Sequence, residues 1–404
     1  MKASAIIAPA LTSGIAYWAY ANGRGLLNAM TLAPLPTSYY AGGDVSKKCI
    51  NVKDGFLDRL RFCEDATIWH APSHPKLLIT CDPGRQEWNT VMTSSNRVQR
   101  LALEGYPIQA DFHPLGIHTV SSPGKPSTVF IVNHGRSNTT IEIFHLHDSS
   151  PTSPYPKLEY VQTLAHPAFV SPNAIVPISP VSFYVSNDHR FTRRIPLVGD
   201  FVSLAESLFA APLSWVDRVD IQSEGSSQFN VTRAISNIKF ANGVAVSPDG
   251  KEFAVSSTTG LAIHFYDRTV DEETKEEKLT YRTSVPVPFT PDNLSYDESE
   301  FDSRTLIVAG HPHFPSLLQV AKKKARTAPS WVIAIEPVID EPPKTGDLAA
   351  PYGVYERVSA VDSHTITTLY QSDGTHFSSS ATGIKHGNDF FVTGLYAEGI
   401  LHCR

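Results

Sequence analysis

Apolar and polar residues alternate along most of this chain in short runs, each ended by turn-forming residues. The clearest stretch is Phe240 to Thr258, FANGVAVSPDGKEFAVSST, where two alternating segments flank Ser247-Pro248-Asp249-Gly250. Pro presets a turn backbone and Gly accepts positive φ, so this stretch predicts a β-hairpin. Comparable strand pairs are expected around Ala66–Thr80, Gly116–Leu146, Asn173–Asn187, Asn242–Asp267, Asp292–Gly310 and Ala381–Cys403. About six such units, each too small to bury its own core, predict an all-β chain folded as a six-bladed β-propeller.

Two segments break the alternation. Between Ile195 and Val219, Phe201, Leu204, Leu208 and Phe209 recur at helical spacing, with Asp200, Glu206 and Ser207 between them. This predicts a short amphipathic helix inserted over the active-site face, serving as an apolar lid or a lipid-contacting surface. At the start, an uncharged run from Ala3 to Ala21 follows Lys2, and Ala19-Tyr20-Ala21 has the small-x-small form of a signal-peptidase site. Residues 1–21 therefore read as a signal peptide or membrane anchor, residues 22–48 as a lead-in segment and residues 49–404 as the propeller. The expected location is the secretory pathway, secreted or held at a membrane.

Charge then narrows the partners. With 34 Lys and Arg against 40 Asp and Glu, the net charge of −6 leaves no footprint for nucleic acid. The charged run Asp271–Lys278 and Lys322-Lys323-Lys324 read as solvated loops, and His145 and His147, on an alternating strand, as surface residues. Two sequons, Asn138-Thr139-Thr140 and Asn230-Val231-Thr232, suit a secreted glycoprotein; a third, at Asn293, is expected to be unused if that residue faces the channel.

Cysteine bears on closure. Cys49, Cys63, Cys81 and Cys403 permit three full pairings. A propeller brings its two termini into one blade, so a bridge from Cys49 to Cys403 would staple the ring. Cys63 and Cys81 are then a second bridge or two buried thiols, and the common burial of free Cys favours thiols.

Residues that open the blades point into the central channel. Glu64, Asn173, Asn242, Asp292 and Asn293 all precede strands and are expected to converge there. These are oxygen donors without nearby Cys or clustered His, a set that suits Ca²⁺ rather than Zn²⁺. Two carboxylates balance the ion's charge, and the remaining positions go to water or substrate. Neighbours on a strand face opposite ways, so Glu64 and Asp65 are expected to serve different sites.

In chain order, Cys63-Glu64-Asp65, His113-Pro114-Leu115-Gly116-Ile117, Val132-Asn133-His134, Asn187-Asp188-His189, Phe240-Ala241-Asn242-Gly243, Asp292-Asn293 and Gly310-His311-Pro312 form a recognisable series. With it the chain resembles the serum paraoxonase/arylesterase family of six-bladed, calcium-dependent lactonases and esterases. The resemblance implies a small apolar lactone or ester as substrate and a catalytic calcium on Glu64, Asn173, Asn242, Asp292 and Asn293. It also implies a Cys49–Cys403 disulfide, active-site positions for His134 and His311, and a second, structural calcium near Asp65 and the Ile117 carbonyl.

The chain departs from the family at two positions. Leu115 stands where the family usually has a His that partners His134 in a proposed proton shuttle, and Leu cannot move a proton. Ala174 replaces an Asp ligand of the second calcium, which lowers both charge and ligand count and argues against that ion. The expected reaction is hydrolysis, with Glu64, His134 and His311 as the catalytic groups. Two alternatives are a propeller enzyme of non-hydrolytic condensation or isomerisation, and a non-catalytic, calcium-stabilised propeller binding an apolar ligand under the Phe201–Trp215 flap.

Overall fold

A computed structural model describes residues 48–53, 60–71, 74–83, 91–93, 101–107, 110–150, 153, 155–271, 273–274, 276–338, 357–361 and 363–404, with 13–14 and 16–17 near the start. Apart from those four, residues 1–21 lie outside the described residues, as does the expected lead-in up to residue 47. Among the described residues, no helix is long and apolar enough to cross a membrane.

The chain is an all-β propeller with few helices. The alternating segments pair as antiparallel strands, and the Ser247–Gly250 turn joins Ala241–Val246 to Glu252–Ser257. Six innermost strands stand around one axis: Arg61–Trp69, Pro114–Val120, Pro172–Ser179, Ala241–Val246, Thr290–Tyr296 and Ser380–His386. Each packs against the next, and the last returns to the first.

Hydrogen bonding groups the strands into five sheets among the described residues, not the six blades expected. The expected first and last units are joined, because Asp389–Glu398 pairs with Arg61–Trp69 at Arg61↔Glu398 and Cys63↔Gly394. One seven-stranded sheet results, and it carries both ends of the ring. Its outermost pairing sets Cys49–Val52 against Ile400–Cys403, with Cys49 bonded to Cys403. Cys63 and Cys81 are also a disulfide, not the buried thiols expected, because the hairpin register sets them directly opposite each other.

The core is a ring of apolar seams. Trp69 and Leu78 meet Val129 and Phe144; Val132 meets Phe183; Tyr184 meets Phe253. Phe265 then packs near Leu306, Ile307 near Val392 and Ile79 near Ile384. Each unit therefore buries its faces against two neighbours, which is why none is stable alone.

The inserted helix is present, as Gly199–Leu208, but its polarity is the reverse of a packed amphipathic helix. Gly199, Ser203 and Glu206 are its buried residues. Phe201, Leu204 and Leu208 face solvent at 74%, 50% and 40% exposure. The inward grip is polar: Glu206 accepts hydrogen bonds from the N–H groups of Arg190 (2.8 Å) and Phe191 (2.9 Å). A second helix, Phe314–Ala321, has Pro315 in its first turn and is not foreshadowed by the alternation pattern.

The Cys49–Cys403 bridge spans 354 residues. In the chain-entropy account, Cys49→Ala/Cys403→Ala is expected to cost about 6 kcal/mol of unfolding free energy. Urea denaturation measures it, and a loss under about 1 kcal/mol would mean that strand pairing alone closes the ring.

Candidate metal centre

All six inner strands slip register at the same level near the axis. The shifts fall between Cys63 and Asp65, Pro114 and Ile117, Pro172 and Ile175, Ala241 and Val244, Pro291 and Leu294, and Ser380 and Gly383. A bulge of this kind adds one residue and re-aims side chains. The bulged segments contain Glu64, Leu115, Asn173, Asn242, Asp292 with Asn293, and Thr382. Three of them begin at a proline. The other three follow a non-glycine residue held at positive φ: Phe62 (55°), Phe240 (60°) and Ser379 (52°). Such a conformation costs roughly 1–2 kcal/mol and persists only where the surroundings impose it.

The five oxygen-bearing side chains expected at the axis are all buried. Asn293 Nδ2 donates to Glu64 Oε1 and to Thr382 Oγ1, both at 3.0 Å. Asn242 Nδ2 donates to Asp292 Oδ1 at 2.7 Å, and Asn173 Nδ2 to Asp188 Oδ2 at 3.2 Å. With the amide nitrogens held, the carbonyl oxygens of Asn173, Asn242 and Asn293 are buried without a hydrogen-bond partner. A buried polar atom left so costs about 1–3 kcal/mol, and three on successive inner strands call for a ligand. Among the described residues no three His, Cys, Asp or Glu side chains are grouped to hold a metal. The donors are instead amide oxygens, two of them on residues bonded to the carboxylates of Glu64 and Asp292, a set that fits a hard divalent cation of the calcium class.

The candidate histidines sit around this floor. His311 Nε2 lies 3.0 Å from Asp292 Oδ2, and its Nδ1 is buried without a hydrogen-bond partner. His134 Nε2 is 2.5 Å from the Pro172 carbonyl oxygen, an acceptor only, which places the proton on Nε2. Neither of the other histidines near Leu115 takes over that position. His113 Nε2 and Nδ1 face Asp111 (2.9 Å) and Asp82 (3.4 Å), while His118 lines a cavity on the other side of the bulges.

That cavity, about 50 Å³, is lined by Asp65, Ile117, His118, Ala174 and Asn293 among others. The residues there do not fit a second cation. Asp65 Oδ1 accepts hydrogen bonds from the Ala66 N–H (2.8 Å) and Thr382 Oγ1 (2.9 Å), and Oδ2 accepts from the Ile117 N–H (2.9 Å). Ala174 adds no oxygen from its side chain. Burial pushes the Asp65 carboxyl up to about 7 against the pull of those N–H groups.

Two contributors were missed in the sequence. Thr382 bridges Asp65 and Asn293, and the signal for it is a side chain followed by glycine at a bulge, as in Leu115-Gly116, Asn242-Gly243 and Thr382-Gly383. Asp188, which holds Asn173, is itself bonded to His189 Nδ1 at 2.8 Å.

Fold and site together define a class: a propeller whose axial strand bulges present a pocket of hard oxygen donors. A protein-family model described as Arylesterase matches residues 70–363, and the chain belongs to that family. The match takes in Asn173, Asn242, Asp292, Asn293, His134 and His311 and leaves Glu64, Thr382 and all of the cysteines but Cys81 outside it. Serum paraoxonase/arylesterase 2 of Bos taurus is 26% identical over 295 residues, 73% of this chain and 69% of that protein. Serum paraoxonase/lactonase 3 of Oryctolagus cuniculus is 26% identical over 294 residues, 72% of this chain and 73% of that one. Among solved structures, a luciferin-regenerating enzyme aligns at a TM-score of 0.47 and 13% identity, over 88% of this chain and 94% of that one.

The His113 cluster predicts a pH dependence of stability. Burial alone would lower the His113 pKa, but Asp82 and Asp111 hold it above the ordinary value. A histidine raised on folding stabilises fully below its unfolded pKa, about 6.5, and that contribution is lost as pH rises through the folded value. Thermal midpoints should therefore fall above about pH 6.5 more steeply in the wild type than in His113→Gln. Identical slopes would remove His113 from the account.

Proposed function

We propose that this chain is a calcium-dependent hydrolase of lactones or aryl esters. The observation that carries the reading is the trio of buried, unpartnered amide oxygens of Asn173, Asn242 and Asn293, two of whose amides are bonded to Glu64 and Asp292. Family membership, and relatives named as arylesterases and lactonases, support the ester and lactone class.

In this reading Glu64 and Asp292 supply negative charge and the three amides supply neutral donors. A divalent cation held there supplies Lewis acidity toward an ester carbonyl. The chain's own residues do the rest. Each amide nitrogen is tied to a carboxylate, which fixes the direction of its carbonyl end. His134, with its proton on Nε2, has Nδ1 as its basic nitrogen and is assigned to take a proton from attacking water. His311 steadies Asp292 and is the auxiliary acid or base. Leu115 moves no proton and gives the substrate an apolar wall.

The solvent-facing Phe201, Leu204, Leu208 and Phe209 are assigned to contact with a lipid surface. Four cysteines in two disulfides, with none free, support an oxidising secretory route.

Lactones and aryl acetates should be turned over by purified protein with calcium, lost on chelation and recovered when calcium is restored. Glu64→Gln is expected to lower kcat/KM at least about 10²-fold. A folded, calcium-loaded protein that turns over nothing in the panel would sink the hydrolase reading.

Exposure sorts the three sequons. Asn138 and Asn230 are exposed and Asn293 is buried. Enzymatic deglycosylation in heavy-oxygen water should label Asn138 and Asn230 of the secreted protein and leave Asn293 unlabelled. Label at Asn293 would contradict its axial placement.

A further inference from the structure

We infer that the Cys63–Cys81 disulfide is a positioning element of the metal centre, holding Glu64 in its bulge, rather than a general staple of the fold. The inference rests on the reading of that centre as a calcium site.

The argument comes from comparing the six bulges. In three of them the residue at the entry is proline, Pro114, Pro172 or Pro291, whose ring fixes φ. In two more the entry residue is captured by a serine from an adjoining strand. The Ala241 N–H donates to Ser214 Oγ at 2.7 Å, and the Ser380 N–H to Ser330 Oγ at 3.0 Å. The sixth entry residue is Cys63, and its pin is the covalent bond to Cys81.

That bond is placed to act on Glu64. Cys63 and Cys81 are fully buried and directly opposed, and Glu64 is the extra residue between the Cys63↔Cys81 and Asp65↔Thr80 pairs. On the near side stands Phe62, at a φ of 55°. Relaxation of Phe62 to an ordinary φ would turn the following residues and carry Glu64 off Asn293. On the far side Asp65 is held by the N–H groups of Ile117 and Ala66. Glu64, whose carbonyl also accepts from the hydroxyls of Thr382 and Thr393 (both 2.9 Å), thus lies between a crosslink and a hydrogen-bonded carboxylate. The Cys49–Cys403 bond differs in kind, since it joins the edge strand of the same sheet to its neighbour, away from the bulges.

Calcium binding to the metal-free protein, followed by calorimetry, tests this. Cys63→Ala/Cys81→Ala is expected to bind calcium about tenfold more weakly than the wild type. Cys49→Ala/Cys403→Ala is expected to lose thermal stability and keep its calcium affinity. A merely structural crosslink would lower the thermal midpoint of the chelated protein and leave affinity alone. Equal affinities in wild type and Cys63→Ala/Cys81→Ala overturn the inference, whereas a wild type that binds no calcium overturns the calcium reading itself.

Linkage gives a second test that needs no variant. Dithiothreitol breaks the S–S bond by supplying two electrons and two protons, leaving two cysteine thiols and a cyclic disulfide of the reagent. If the crosslink favours calcium, calcium must protect the crosslink by the same factor. Alkylation and mass spectrometry should show saturating calcium raising the dithiothreitol-to-product ratio needed to reduce Cys63–Cys81 about tenfold, with no such shift at Cys49–Cys403. Equal protection of the two bonds would refute a local role.

Discussion

Around the central axis the inner strands come close enough for their backbones to touch, and that crowding governs both fold and site. A Cβ at Gly116 would stand 2.4 Å from the Asn173 carbonyl oxygen, and one at Gly243 would stand 2.7 Å from the Asn293 Cα. Only glycine allows this approach. The bulges follow from the same constraint, since strands that converge this closely must turn their next side chains along the axis or into it. Side chains with a short polar end fit there, and the site consists of them.

Holding such a ring requires specific seams between neighbouring sheets as well as apolar burial. Several seams carry a charge or hydroxyl contact beside the apolar cluster. Lys76 meets Asp148, Arg218 meets Glu277 (2.6 Å), Tyr296 meets Glu252 (2.6 Å) and Lys385 meets Asp297 (2.5 Å). Contacts of this kind, each with at least one buried or half-buried charged group, contribute little net stability, but a seam that slipped would strand a charge. We therefore assign the apolar clusters to stability and the polar contacts to register. Register matters because a slip of one residue would move every axial side chain away from its partner.

The alternation of apolar and polar residues was enough to place the hairpins and the residues that open the inner strands, because both depend on local periodicity and turn chemistry. Glu64, Asn242, Asp292 and Asn293 come together in the structure for that reason. What depends on contacts between distant segments was not legible. The joining of the first and last units, and so five sheets instead of six, needs Asp389–Glu398 to meet Arg61–Trp69 across more than three hundred residues. Cys63 and Cys81 look like thiols until the register of one hairpin is known. The helix at 199–208 was legible as a helix but not in its orientation, since spacing alone does not say which face meets the protein. Its polar face does, because Glu206 and Ser207 find partners in the turn after Asn187.

Leu115 is the apolar residue among bulged positions otherwise occupied by Glu64, Asn173, Asn242, Asp292 with Asn293, and Thr382. Its strand has the same proline entry and the same register shift as its neighbours, so the backbone presents position 115 as it presents the others. Chemistry, not geometry, differs there. A leucine neither binds a cation nor carries a proton, and it packs instead on the apolar seam of Val132 and Ile175. On the proposed reading, proton transfer is then left to His134 and His311. The amide oxygens of Asn173, Asn242 and Asn293 stay buried without a protein partner. Asp65, in the cavity beside Ala174, differs from them, because both of its carboxylate oxygens already accept hydrogen bonds from Ala66, Thr382 and Ile117.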